Sequence, residues 1–345
     1  MTLRRPHGRP WAGAFNVVMA TAIVSIAAQK FGLHVVSIAL LWLAVAAFLP
    51  LVALDLRRVR APLGFLRRAS APGTGLPAMG FVADTAVLGT RVALLGGEAA
   101  RVISAVLLGI GALIWLPLLA AVSPELGLGL FGANRGEIAS RARGEWLLGV
   151  VATEGLAILA GLLSSGRHSA LHGTATVLWA LGGLLYLAIF WMLAAHLRRH
   201  PLSPRDITPD LWILMGGIAI FVVAGATSFR GRPGSVSGLV VTVAWALASA
   251  WIPVLAAGEL WRATRMGLPR FTPERWTMVF PLGMYSVCGV LTGSAFGVGW
   301  IGRIGHWWFA VALAAWVAVA LGELRSAFRR PAPSAQSRSR VEDLL

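Results

Sequence analysis

Residues 81–89 read FVADTAVLG, an apolar string interrupted only by Asp84 and Thr85. Similar strings stand at 17–25, VVMATAIVS, and at 150–161, VVATEGLAILAG, each with a small residue (Ala20, Ala83, Ala152) just before a polar one. Each lies in an apolar run near the length a helix needs to cross a bilayer, about 20 residues. The strings recur at an interval of some 65 residues, which is one helical hairpin with its loop. The same interval reaches Gly216 and Pro281, so five hairpin units fill the chain.

Outward from these strings, apolar runs fall at 13–28, 33–54, 79–95, 101–122, 146–163, 173–196, 210–229, 238–260, 276–293 and 304–322. A chain that is 57% hydrophobic and 13% charged is too apolar for one soluble core and needs lipid as its solvent. The expected fold is therefore an all-α integral membrane protein with ten transmembrane helices in five hairpins. An array of hairpins in lipid can close into a ring. The expected divisions are a cytoplasmic segment 1–12, a membrane domain 13–325, and a disordered cytoplasmic tail 326–345, which is polar and rich in Pro and Ser.

The 30 basic residues, against 14 acidic ones, lie almost wholly between the apolar runs. With both termini cytoplasmic, 23 of them fall inside, among them Arg57, Arg58, Arg60, Arg67 and Arg68, and six fall outside, while Arg91 lies within the third run. This satisfies the positive-inside rule for an even number of spans and predicts a multi-pass protein of the cytoplasmic membrane. The basic loops need no nucleic acid to explain them, and no aromatic platform accompanies them. The first run also has the outline of a signal peptide ending near Ser25-Ile26-Ala27, but the repeat requires it as a helix, so the uncleaved reading is preferred.

Several chemistries lack their residues. Cys288 is the single cysteine, so one chain builds neither a disulfide framework nor a Cys-based zinc site. The pairs His168/His172 and His196/His200 lack the further ligands a metal needs, and neither metal nor cofactor is expected. Gly127-Gly129-Gly132 and Gly297-Gly299-Gly302 match a dinucleotide fingerprint in spacing but follow no predicted strand. Neither Gly-x-Ser-x-Gly nor His-Glu-x-x-His occurs, which argues against a membrane-embedded hydrolase.

Polar residues concentrate in the odd-numbered runs: Asn16, Thr21, Asp84, Thr85, Arg91, Thr153, Glu154, Tyr285 and Ser286. A charge at mid-membrane costs at least ~2.5–3.5 kcal/mol, so the odd helices are expected inside, facing a bundle interior or a watery cavity. The even runs, aliphatic and carrying Trp42, Trp115, Trp179, Trp191, Trp245, Trp251 and Trp316, are expected to form a lipid-facing wall with interfacial anchors.

In these strings the chain resembles the tellurite-resistance/C4-dicarboxylate transporter family, which includes bacterial tellurite-resistance protein A, yeast malate and sulfite transporters and plant slow anion channels. The likeness covers residues 11–325 and rests on FNVVMATAIVSIA, GFVADTAVLGTR, VVATEGLAIL and RWTMVFPLGMYS in the first, third, fifth and ninth runs. It implies five helical hairpins in a quasi-five-fold ring around a central pore lined by the odd helices, commonly with three such subunits together. It further implies that Phe280, in the matching Phe-Pro, plugs the pore.

An aromatic ring in a narrow pore excludes water, and Pro281 removes a backbone donor and bends the helix beside it. The alternative is a core aromatic with a routine proline kink. Thr21, Tyr285 and Ser286 are further pore candidates. Asp84 and Arg91 share a helical face but stand roughly 10 Å apart along the axis. A ring sets the fifth span beside the third, which makes Glu154 a partner for Arg91 or for a proton shared with Asp84. The carboxylates are then either neutralised by their surroundings or protonated during transport. Arg91 either attracts anions or snorkels to the interface. The expected function is passage of small anions, such as C4-dicarboxylates or sulfite, through a pore gated by Phe280, with a proton-coupled malate carrier using Asp84 and Glu154 as the alternative.

Overall fold

The apolar runs form long helices in the computed structural model, which describes residues 12–58, 75–132, 136–138, 142–166, 169–199, 202–230, 234–267 and 271–328. Most of segment 1–12, the tail beyond 328, His168, His200, Arg60, Arg67 and Arg68 lie outside the described residues. The principal helices are α1 (Ala12–Lys30), α2 (His34–Arg58), α3 (Gly80–Ala93), α4 (Glu98–Phe131), α5 (Leu148–Leu163), α6 (Ala170–Arg199), α7 (Ile213–Ser228), α8 (Val236–Met266), α9 (Trp276–Phe296) and α10 (Gly299–Phe328). No strand occurs among the described residues.

Eight of the described helical segments are long and apolar enough to cross a membrane. The other two of the expected ten are shorter: apolar Asn16–Lys30 within α1, and α3, whose 14 residues follow the helical turn Gly75–Ala78. Even-numbered helices outrun the expected limits. α4 reaches Phe131 although Pro117 and Pro124 lie within it, because neighbouring helices and side chains can re-satisfy the backbone groups a proline frees. α10 extends to Phe328, so residues 326–328, expected in the tail, are helical.

Burial separates the two sets. In the spans containing α5, α7 and α9, 83–89% of residues are buried, against 17–33% in those of α2, α4, α6, α8 and α10. α1 and α3 are buried too, so the odd helices are the inner ones. Side chains such as Val35, Leu113, Trp307 and Phe328 cover the exposed outer faces, a surface that suits lipid rather than water.

Each inner helix packs on the outer helix that follows it, and α1 packs on α3, α3 on α5, α5 on α7, α7 on α9, and α9 on α1. Small residues make these approaches possible. A Cβ at Gly155 would stand 2.9 Å from Ala86 Cβ, and one at Gly283 2.8 Å from Ile23 Cγ2. α9 and α10 meet backbone to backbone: a Cβ at Gly293 would be 2.6 Å from the Gly302 nitrogen, and one at Gly289 2.8 Å from Gly305 Cα. Lipid gives helices little hydrophobic reason to associate, so such close contact supplies the attraction. Gly297, with φ 74°, ends α9 and lets the chain turn directly into α10.

Candidate functional site

A cavity of about 350 Å³ lies toward the C-terminal ends of the inner helices, and all five contribute to its wall. The lining residues recur at helical spacing: Ile23, Ile26 and Lys30 on α1; Val87, Thr90 and Leu94 from α3; Ile158 and Leu162 on α5; Val223, Thr227 and Arg230 from α7; Met284, Val287 and Leu291 on α9. Residues three and four apart share a helix face, so each helix turns one stripe to this space. The stripes are aliphatic, broken by the hydroxyls of Thr90 and Thr227 and by two cations, Lys30 and Arg230.

Phe280 precedes Met284, a lining residue, by four positions on α9, about 6 Å further along the axis. Its side chain is fully buried. The adjoining Pro281 packs against Gly216 of α7, where an added Cβ would sit 2.9 Å from Pro281 Cγ. A larger residue than glycine at 216 would push on the backbone that carries Phe280.

The other expected site residues are directed elsewhere. Thr21 Oγ1 accepts a hydrogen bond from Trp316 Nε1 of α10 at 3.1 Å. Tyr285 and Ser249 of α8 share a hydroxyl–hydroxyl bond of 2.7 Å, and the Tyr285 ring contacts Trp245 and Trp308. Ser286 Oγ donates to the Gly305 carbonyl of α10 at 2.8 Å. Thr153 accepts from Trp115 Nε1 of α4 at 2.9 Å. Four of the tryptophans expected against lipid thus turn inward, since Trp115, Trp179 and Trp316 donate to inner helices and Trp245 stacks on Tyr285, while Trp42 and Trp191 remain exposed.

Arg91 is fully buried. Its Nε donates to Ser25 Oγ at 2.8 Å, and its Nη2 donates to Ser37 Oγ at 2.8 Å and Gln29 Oε1 at 3.3 Å. Ser25 and Ser37 also bond each other's carbonyls, at 2.6 and 2.7 Å, so the guanidinium closes a polar clasp joining α1, α2 and α3. The pairing of Arg91 with Glu154 considered from the sequence is not formed. Glu154 instead packs against α6, where an added Cβ at Gly182 would overlap its carboxyl group, and neither of its oxygens has a hydrogen-bond partner among the described residues. Asp84 is buried near the Met19 backbone of α1 but makes no hydrogen bond of good geometry. The three charged groups are not brought together.

Sequence reading passed over Lys30 and Arg230, counting them only as loop charges. The signal that marks them is positional: each falls at the end of an inner run, Lys30 in step with Ile26 and Ile23 and Arg230 in step with Thr227 and Val223.

Comparison with known proteins agrees with this architecture. An uncharacterized membrane protein of Mycobacterium tuberculosis, in strains CDC 1551 / Oshkosh and ATCC 25618 / H37Rv, is 38% identical to the chain over 140 residues, which are 38% of this chain and 71% of that protein. The family model described as SLAC1, voltage-dependent anion channel, matches residues 11–324. A match over nearly the whole chain makes this multi-pass membrane protein a member of the voltage-dependent anion channel family, within the tellurite-resistance/C4-dicarboxylate transporters, whose members are transporters or channels that carry anions across membranes.

Proposed function

We propose that the protein is an anion channel in which ten helices form a quasi-five-fold ring of hairpins around a central pore, with Phe280 as the gate. The observation that carries this reading is the cavity bordered by all five inner helices, with a fully buried aromatic side chain on α9 four positions before the lining residue Met284. Closure is then a matter of excluded water rather than charge. Pro281, lodged against Gly216, ties rotation of that ring to the packing of α7 on α9. The conducted species are small anions such as C4-dicarboxylates, malate, sulfite or nitrate. The subunit works as one of three in the cell membrane, with both termini cytoplasmic. Tellurite handling follows from anion permeability and is not the primary role.

A second reading draws on the two buried carboxyl groups. Glu154 has no hydrogen-bond partner among the described residues and Asp84 none of good geometry, so each can exchange a proton during transport and make the protein a proton-coupled carrier. Against it stands their direction, since Glu154 packs on α6 rather than sharing a space with Asp84.

The test is anion flux in proteoliposomes at fixed potential, comparing the intact chain with Phe280→Ala for chloride, nitrate, sulfite and malate. A gated channel shows flux that rises by about tenfold or more when the ring is removed, a barrier change of roughly 1.4 kcal/mol. Flux from neither form, once insertion is verified, overturns the reading. Uptake that requires a pH gradient in both forms favours the carrier.

A further inference from the structure

We propose that Arg91 holds a monatomic halide ion in the clasp where α1, α2 and α3 meet, outside the central cavity. A guanidinium is a planar fork of N–H donors that keeps its charge in proteins. Two of its nitrogens are engaged: Nε donates to Ser25 Oγ at 2.8 Å, and Nη2 donates to Ser37 Oγ at 2.8 Å and to Gln29 Oε1 at 3.3 Å. The third, Nη1, has no hydrogen-bond partner among the described residues, although the side chain is fully buried. The two serines are already committed, since each hydroxyl donates to the other's carbonyl while accepting from the guanidinium.

All three partners are neutral, so the hydrogen bonds leave the charge uncompensated. Among the described residues no carboxylate pairs with it: Asp84 stands roughly 10 Å back along α3, and Glu98 is exposed at the start of α4. Asp55 lies toward the opposite end of α2 from Ser37, and the charged residue that α1 adds is another cation, Lys30. Buried charges are normally paired or coordinated. A water molecule would satisfy Nη1 and leave the charge, whereas an anion answers both. Arg91, Ser25 and Ser37 are each 0% exposed, which favours a monatomic ion over sulfate or a carboxylate. Such an ion reaches the clasp past Gln29, which is half-buried, beside the last turn of α3 that carries Arg91. Once bound, it fastens α1 and α2 to α3. Neither Arg91 nor any of its three partners lines the cavity, so the site is independent of the proposed pore.

The experiment uses the purified full chain in sodium methanesulfonate and reads the thermal midpoint as bromide replaces methanesulfonate at constant ionic strength. The midpoint should rise by several degrees and saturate, as it does when a ligand binds only the folded state. Arg91→Gln keeps a planar amide for the serines but removes the charge, and its midpoint should not respond to bromide. K30Q/R230Q, altered at the cavity, should respond as the intact chain does. Crystals of the intact chain grown in bromide should show an anomalous peak within hydrogen-bond reach of Nη1, which decides the matter even where Arg91→Gln fails to fold. A midpoint indifferent to bromide, a full response in Arg91→Gln, a response lost in K30Q/R230Q, or a water at Nη1 with no anomalous peak overturns the site.

Discussion

Each inner helix carries two faces of opposite chemistry. The face toward the cavity is nearly bare of polar groups: Ile23 and Ile26, Val87, Ile158, Met284 and Val287. The faces toward the outer helices hold the hydroxyls and the guanidinium, with Thr21 on Trp316, Thr153 on Trp115, Tyr285 on Ser249, Ser286 on Gly305 and Arg91 on Ser25 and Ser37. Where lipid cannot press helices together, polar bonds and close backbone contact do so. In the proposed channel an apolar wall would avoid gripping the anions that pass it. The comparison teaches that in this fold the polar residues join the helices while mostly apolar residues line the cavity.

The largest expected effect lies on the assembling side. Gly293→Leu sets a side chain where the Gly302 nitrogen would be 2.6 Å from its Cβ, and α9 and α10 cannot then close. Loss of the monodisperse peak in size-exclusion chromatography checks this; a folded, well-behaved variant breaks the claim that this contact holds the pair. Next comes Ser25→Ala, which removes a partner of Arg91 and of Ser37 and leaves the buried guanidinium short of an acceptor. It should cost about 1.5–3 kcal/mol, the scale of a hydrogen bond to a charged group. The thermal midpoint should fall by several degrees while flux per folded molecule stays level.

The path side should behave in the opposite way. Val287→Thr keeps side-chain volume and places a hydroxyl at the cavity wall, so the thermal midpoint should move little while the permeability of sulfite relative to nitrate rises severalfold. A variant that loses stability but not selectivity reverses the assignment of that face. The smallest effect is reserved for the carboxyl groups. Glu154→Gln and Asp84→Asn should leave flux within about twofold at pH 6 and pH 8, since Glu154 packs on Gly182 of α6 and neither group borders the cavity. Abolished pH-driven uptake in either would revive the proton-coupled carrier.

These contrasts also mark what could be read from the sequence. The runs, the hairpin interval and the burial of the odd set were legible because hydropathy and charge placement vary along the chain. The facing of individual residues was not. Ala83 and Asp84 differ by one position, and one position is about 100° around a helix. Polarity in the odd runs therefore indicated helices inside the bundle, but the inference that Thr21, Tyr285 and Ser286 face water did not allow for outer-helix tryptophans and backbone carbonyls as partners. Arg91 finds Ser25 and Ser37, 66 and 54 positions away, because α1 and α2 pack beside α3, and no local spacing records that. Phe280 was singled out by resemblance alone, since neither hydropathy nor polarity distinguishes it from other aromatic residues in the apolar runs.

The most direct measurement is thiol accessibility along both faces. With Cys288, itself buried, replaced by alanine, single cysteines at Thr90, Thr227, Val287 and Leu291 and at Thr21, Thr153, Ser286 and Arg91 would be exposed in proteoliposomes to a charged, membrane-impermeant thiol reagent. The two-faced account predicts modification at the first four positions and protection at the last four. Modification of Thr153, Ser286 and Arg91 with protection of Thr90, Val287 and Leu291 would contradict it and put the aqueous path between the inner and outer helices.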